Sequence, residues 1–310
     1  AMTITGLGMI PPLVYYSYLT AVIGFMIIGI GNTILQVSAN PLLLDYSSDE
    51  TKAANLSLSQ FIKAIASMLG PVIVAGLAKY TGNWRLVFPV YAIISFLSAF
   101  WLYSIKIEES RPEKEPASLK TVAQILKNPF VLIMVLSIFF QVGFDVSMNS
   151  NIANYLKNRY SISLETASLG ISIYFASLMA GRLLGSILLR KVNTKIFLIT
   201  STLVTLAGLL SILGSPSLKF TWVLIFITGL GFSNIFPLVF ALTVERKPAY
   251  ANEISGLVIL AVSGGAVIPP IAGVLTQKYG VTSSIYVLIF CTLYTLFATY
   301  YVLRQKPDKN

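Results

Sequence analysis

The sequence predicts an all-α integral membrane protein, on three observations. Hydrophobic residues make up 55% of the 310 and charged residues only 11%, against roughly 25% charged in an ordinary soluble domain. Ten apolar stretches can be read as membrane helices, each of which needs about 20 mostly apolar residues. Lysine and arginine gather in alternate loops, as they do when a chain threads a bilayer. The same composition excludes a disordered chain. No histidine is present and Cys291 is the single cysteine. A disulfide framework, a cysteine metal site, a Ser-His-Asp triad and histidine-ligated metals are therefore excluded, and no cofactor is expected.

The expected spans run over about 2–16, 18–44, 54–78, 86–106, 129–156, 166–189, 196–214, 220–244, 253–277 and 282–303. The first is short and starts at the first residue. Turn-rich pieces separate the others, among them Ser47-Ser48-Asp49-Glu50, Thr81-Gly82-Asn83, Asn193-Thr194 and Gly214-Ser215-Pro216. The long exception is 107–128, a charged and proline-bearing linker that ends in a short amphipathic piece, Leu119 to Leu126. Three regions follow: an N-terminal bundle over 1–106 with four helices, the linker over 107–128, and a C-terminal six-helix bundle over 129–310.

Charge sets the orientation. Of the 22 Lys and Arg, fourteen fall in one set of alternate loops, from Lys52 through the linker to Arg304, Lys306 and Lys309. The other set holds six: Lys79, Arg85, Lys157, Arg159, Lys219 and Lys278. The richer side is the cytoplasmic one, which places the linker and the C-terminus there. The net charge of +10 thus reflects topology and headgroup attraction. Nucleic acid would need a clustered basic stripe, which the sequence lacks.

The chain repeats itself. Gly29-Ile30-Gly31 recurs as Gly229-Leu230-Gly231 at an offset of 200, and Pro71 as Pro270 and Lys79-Tyr80 as Lys278-Tyr279 at 199. These pairs imply two parallel pseudo-repeats about a central linker, the arrangement of the major facilitator fold. The second half has six spans and the first has four, so the expectation is ten helices present of twelve. About 70 residues, two helices with their loops, would then precede Ala1. A genuine ten-helix protein is the alternative.

Polar side chains inside apolar helices belong against a bundle interior or a wet cavity. Asn32, Gln36 and Asn40 follow i, i+4, i+8 spacing, and so do Gln141, Asp145 and Asn149. Ser57, Gln60, Lys63 and Ser67 also share one helix face. Two readings are open: a polar cavity whose amides suit a hydroxyl-rich solute, or hydrogen bonds between helices. Asp145 sits near mid-membrane, where desolvation disfavours its charged form; it is a candidate proton carrier or a member of a permanent ion pair. Lys63 has three possible roles: pairing with Asp145, contacting an anionic solute, or snorkelling. Arg182, between Gly181 and Gly185, is expected to anchor its helix or a gate rather than touch solute. Helix breakers mark the moving parts: Asn40-Pro41, Gly70-Pro71, Phe236-Pro237, and Gly264-Gly265 with Pro269-Pro270.

At these residues the chain resembles the fucose–galactose–glucose permease family of major facilitator sugar symporters. The stretches are Gly31 to Pro41 (GNTILQVSANP), Leu56 to Phe61 with Gly70-Pro71, Val142-Gly143-Phe144-Asp145-Val146, and Gly231-Phe232-Ser233-Asn234-Ile235-Phe236-Pro237 with Gly264 to Pro270. The resemblance implies that Gln36 and Asn40 fall among fourth-helix substrate and coupling residues. It puts Asp145 on a seventh-helix acid and Asn234 on a cavity-lining position of the tenth helix. Asp145 stands where the family usually has a glutamate, and the chain departs from the family in two further places. A coupling glutamate is replaced by Gln36, which cannot ionise, and Lys63 stands where the fifth helix carries an asparagine.

The expected function is therefore cation-coupled symport of a monosaccharide by alternating access. The ion is expected to be a proton, with sodium as the alternative. The expected sugar contacts are Gln36, Asn40, Gln60, Lys63, Gln141, Phe144, Asn149 and Asn234. The resemblance further implies a monomer in a bacterial inner membrane. Two rivals remain: the same fold carrying an anionic sugar read by Lys63, and a membrane sensor or scaffold that transports nothing. An enzyme would need a nucleophile with its base, or a metal site.

Overall fold

The computed structural model describes residues 1–15, 17–48, 50–105 and 119–304. Residues 106–118 and 305–310, expected to carry the charged linker and the C-terminal tail, lie outside them, as do the side chains of Ser67 and Pro71. Every regular element described is helical. The first are α1 (Met2–Gly8), α2 (Ile10–Val14), α3 (Tyr18–Asp45), α4 (Lys52–Thr81) and α5 (Val87–Ser104). Then come α6 (Leu119–Leu126), α7 (Pro129–Tyr160), α8 (Leu164–Leu188) and α9 (Thr194–Leu213). The last are α10 (Leu218–Phe232), α11 (Ile235–Arg246), α12 (Ala251–Ala261), α13 (Gly264–Tyr279) and α14 (Thr282–Arg304). Eight helical stretches among the described residues are long and apolar enough to cross a membrane.

The helices start where the sequence supplies a cap. Asn128 accepts from the backbone N–H of Phe130 and Val131 at the start of α7, with Pro129 at the first helical position. Ser163, Asn193 and Ser217 do the same for α8, α9 and α10. The amphipathic piece is α6, with Ile125 buried and Val122 and Leu126 packed against the core. Arg246 at the end of α11 stacks over Phe130 at 4.8 Å.

The expected breakers behave unequally. The span expected over 220–244 is two helices, α10 and α11, that part at Ser233-Asn234. Pro237 has no N–H for the carbonyl four residues back, at Ser233, so the ladder stops there. The span over 253–277 parts at Val262-Ser263, just before Gly264 and Gly265, into α12 and α13. Pro41, Pro269 and Pro270 do not break their helices: α3 and α13 run through them. Membrane helices tolerate proline because neighbouring groups satisfy the freed carbonyls.

The chain forms two compact units. One comprises Ala1–Leu42 and Lys63–Ala117; the other comprises Leu43–Ile62 and Ser118–Asn310. In the first, Gly8 of α1 and Gly24 of α3 leave room for each other's backbone. The second unit takes in the end of α3 and the start of α4, so its edge differs from a cut at the linker.

Its core rests on close helix crossings. A Cβ on Gly264 would collide with the Phe139 carbonyl of α7, and one on Gly143 would lie 2.7 Å from the Ile268 Cβ of α13. On α8, a Cβ at Gly181 would meet Ser233, and one at Gly185 would meet the Asn234 amide. Small residues at these points let membrane helices approach to backbone contact.

Candidate functional site

In the first unit, Gln36 of α3 and Lys63 of α4 come together: the Lys63 Nζ donates to Gln36 Oε1 at 3.2 Å. Gln36 and Asn40 are half-buried, while Lys63 is exposed.

In the second unit, the strip on α7 is the densest polar feature. Gln141 is 3% exposed, and Asp145 and Asn149 are half-buried one and two turns further on. Tyr174 of α8, fully buried, donates its hydroxyl to Asp145 Oδ1 at 2.9 Å. Arg182, two turns along α8 from Tyr174, interacts electrostatically with both. Asn149 Nδ2 donates to its own helix, at the Asp145 carbonyl (2.9 Å). The Oε1 of Gln141 and Oδ1 of Asn149 are buried without a hydrogen-bond partner among the described residues. Such amide oxygens are costly to leave unmade, and here they lie one turn either side of a carboxylate. A narrow crevice beside Gln141 is lined by Phe144, Phe232 and by Cys291, Thr292 and Thr295 of α14.

Two expected sugar contacts are engaged elsewhere. Asn234 is 1% exposed at the α10–α11 junction. Its Nδ2 donates to the Gly181 carbonyl at 2.7 Å and to Ser233 Oγ at 2.9 Å. Its Oδ1 accepts from Ser57 Oγ at 2.5 Å. It is a junction residue in this conformation rather than a cavity-lining one, because protein groups occupy both ends of its amide. Phe144 is buried and stacks on Phe232 at 4.3 Å, so its face is covered by another ring. Ser57 also lies 2.7 Å from the Arg182 carbonyl. Of the two readings open for the α4 stripe, Ser57 takes the one of bonds between helices, while Lys63 turns to Gln36. Gln60 is half-buried between them in sequence.

Sequence reasoning missed Tyr174. Its signal was present: it shares a face of α8 with Gly170, Gly181 and Arg182, and that face is the small-residue one.

These features point to a family. A sequence profile described as Major Facilitator Superfamily matches residues 1–258 and, in a second match, 135–310. The chain belongs to the major facilitator superfamily. It is therefore a multi-pass membrane protein of a transporter family, not an enzyme. A putative glucose/galactose transporter of Helicobacter pylori is 26% identical, covering 99% of this chain and 80% of the relative. A glucose/galactose transporter of Brucella abortus is 26% identical, covering 93% and 73%. Among solved structures, the superfamily transporter FucP in its outward conformation aligns with a TM-score of 0.85 at 16% identity, covering 98% of this chain and 82% of FucP. A second FucP structure, described as the E. coli fucose:proton symporter, gives 0.83. The all-α major facilitator fold expected from the repeat, and the resemblance to sugar permeases, are borne out.

Proposed function

We propose that this protein carries a monosaccharide across a bacterial inner membrane in symport with a cation, a proton first, by alternating access. The observation that carries the proposal is the α7 strip: two buried amide oxygens with hydrogen-bonding capacity to spare, on either side of a half-buried carboxylate. Sugar hydroxyls are suited to donate to Gln141 and Asn149. Gln36, Asn40 and Gln60 are further amides able to donate or accept. Asp145 binds the coupling proton. Protonation and sugar binding then favour each other by the same factor, because the linkage is reciprocal. The relatives that are named glucose/galactose transporters, and the likeness to a fucose:proton symporter, support the substrate class. Charge placement supports a cytoplasmic C-terminus, and the likeness to sugar permeases supports a monomer.

The exposed ammonium of Lys63 favours a second reading, an anionic sugar as solute. One experiment separates the two. Purified protein in liposomes is offered radiolabelled galactose, glucose and fucose, with neutral sugars and uronates as competitors. Uptake of a neutral sugar, outcompeted by neutral sugars, supports the proposal. Uptake of a radiolabelled uronate offered in the same way, inhibited by uronates alone and lost in Lys63→Gln, supports the second reading. Binding without counterflow overturns both in favour of a sensor.

A further inference from the structure

The α7–α8 contact holds more than one acid. Tyr174 has no exposed surface, and its hydroxyl meets Asp145 Oδ1 at 2.9 Å. Arg182 stands eight residues along, on the same face of α8. Its Nε is buried with no hydrogen-bond partner among the described residues. A guanidinium N–H left unmade in a bundle interior is costly, and a carboxylate is the group best suited to satisfy it.

Resting on the coupling role given to Asp145, we infer that Tyr174 and Arg182 are positioning residues for that carboxylate. Tyr174 holds the ionised form in place, and Arg182 is the cation that favours it when the proton leaves. The protonated acid gives its proton to water, the carboxylate remains, and the Tyr174 hydroxyl and Arg182 guanidinium face the new charge. The turn of α8 that carries Arg182 is also tied to the helix junction. The Gly181 carbonyl accepts from Asn234, and the Arg182 carbonyl lies 2.7 Å from Ser57 Oγ. The backbone that carries Arg182 is thereby tethered to the α10–α11 break and to the start of α4.

Other ionisable groups lie on α7 and on the elements packed against it. On α7 itself, Lys157 and Arg159 lie three turns or more beyond Asp145. From α14, Tyr294 packs on Phe140, with ring centroids 4.6 Å apart, and Cys291 lines the crevice beside Gln141. Lys278 is in the last turn of α13. Lys120 is on α6, Glu245 and Arg246 are at the end of α11, and Glu253 is in the first turn of α12.

The test uses the full chain in proteoliposomes with radiolabelled galactose, reading proton-driven accumulation, its pH profile and counterflow at equal pH. Tyr174→Phe moves the pH midpoint of accumulation up by about one unit, because a bond to the ionised form is lost. Arg182→Gln loses accumulation about tenfold or more but keeps counterflow, which needs no deprotonation; Arg182→Lys recovers accumulation in part. If Asp145→Asn abolishes accumulation while Tyr174→Phe and Arg182→Gln keep the wild-type profile, the inference is overturned and the coupling role of Asp145 stands. If Arg182→Gln loses counterflow as well and Arg182→Lys rescues nothing, Arg182 is structural and the inference again falls. Accumulation untouched by Asp145→Asn removes the coupling role itself.

Discussion

Two amides of similar chemistry do opposite work in this protein, and the difference is what already touches them. Asn234 has protein partners on both its nitrogen and its oxygen. Its replacement by alanine removes the bonds that tie the Gly181 carbonyl and the Ser57 hydroxyl to the α10–α11 junction. Asn234→Ala should therefore cost about 1–3 kcal/mol, read as a lower thermal unfolding midpoint in detergent. Gln141 carries an Oε1 with no partner among the described residues. Gln141→Leu should leave stability unchanged or raise it, while sugar counterflow falls. Equal destabilisation by both variants would contradict the distinction. The sequence shows both residues as polar groups in apolar helices. It does not show which one is satisfied, because two of the three partners of Asn234 are 53 and 177 residues away. Tyr174 escaped for a related reason. An aromatic ring in an apolar helix reads as packing, and its hydroxyl meets a partner 29 residues away.

At the scale of elements, hydropathy and turn chemistry locate the helices well. The amphipathic piece Leu119–Leu126 has the bounds expected, and the span expected over 282–303 is Thr282–Arg304. The internal breaks were less legible. Pro41, Pro269 and Pro270 were expected among the helix breakers, yet α3 runs through Pro41 and α13 through Pro269 and Pro270. What decides is the neighbouring helix. Gly264 stands at its break because α7 presses the Phe139 carbonyl against it. Gly264→Ala should therefore destabilise by about 1–3 kcal/mol through overpacking, with slower uptake. Gly273→Ala, also on α13, meets no atom within 4 Å and should be neutral or mildly stabilising. Thermal unfolding of the two variants side by side checks this; equal effects would mean that the α7–α13 crossing is looser than described.

For the whole molecule, the asymmetry of basic residues predicts one orientation. In a Cys291→Ser background, Lys127→Cys beside α6 should react with a membrane-impermeant maleimide from the cytoplasmic face alone. Lys219→Cys at the start of α10 should react from the opposite face. The mechanism proposed for the whole molecule is that Asp145 exchanges a proton as sugar crosses. The most direct measurement is of that exchange. Proteoliposomes are held at equal pH inside and out in weak buffer, and galactose is added while the external pH is recorded. The account predicts alkalinisation of the medium as protons enter with the sugar, and none for Asp145→Asn. Sugar entry by the wild-type protein with no change of pH, or an unchanged signal in Asp145→Asn, would contradict it.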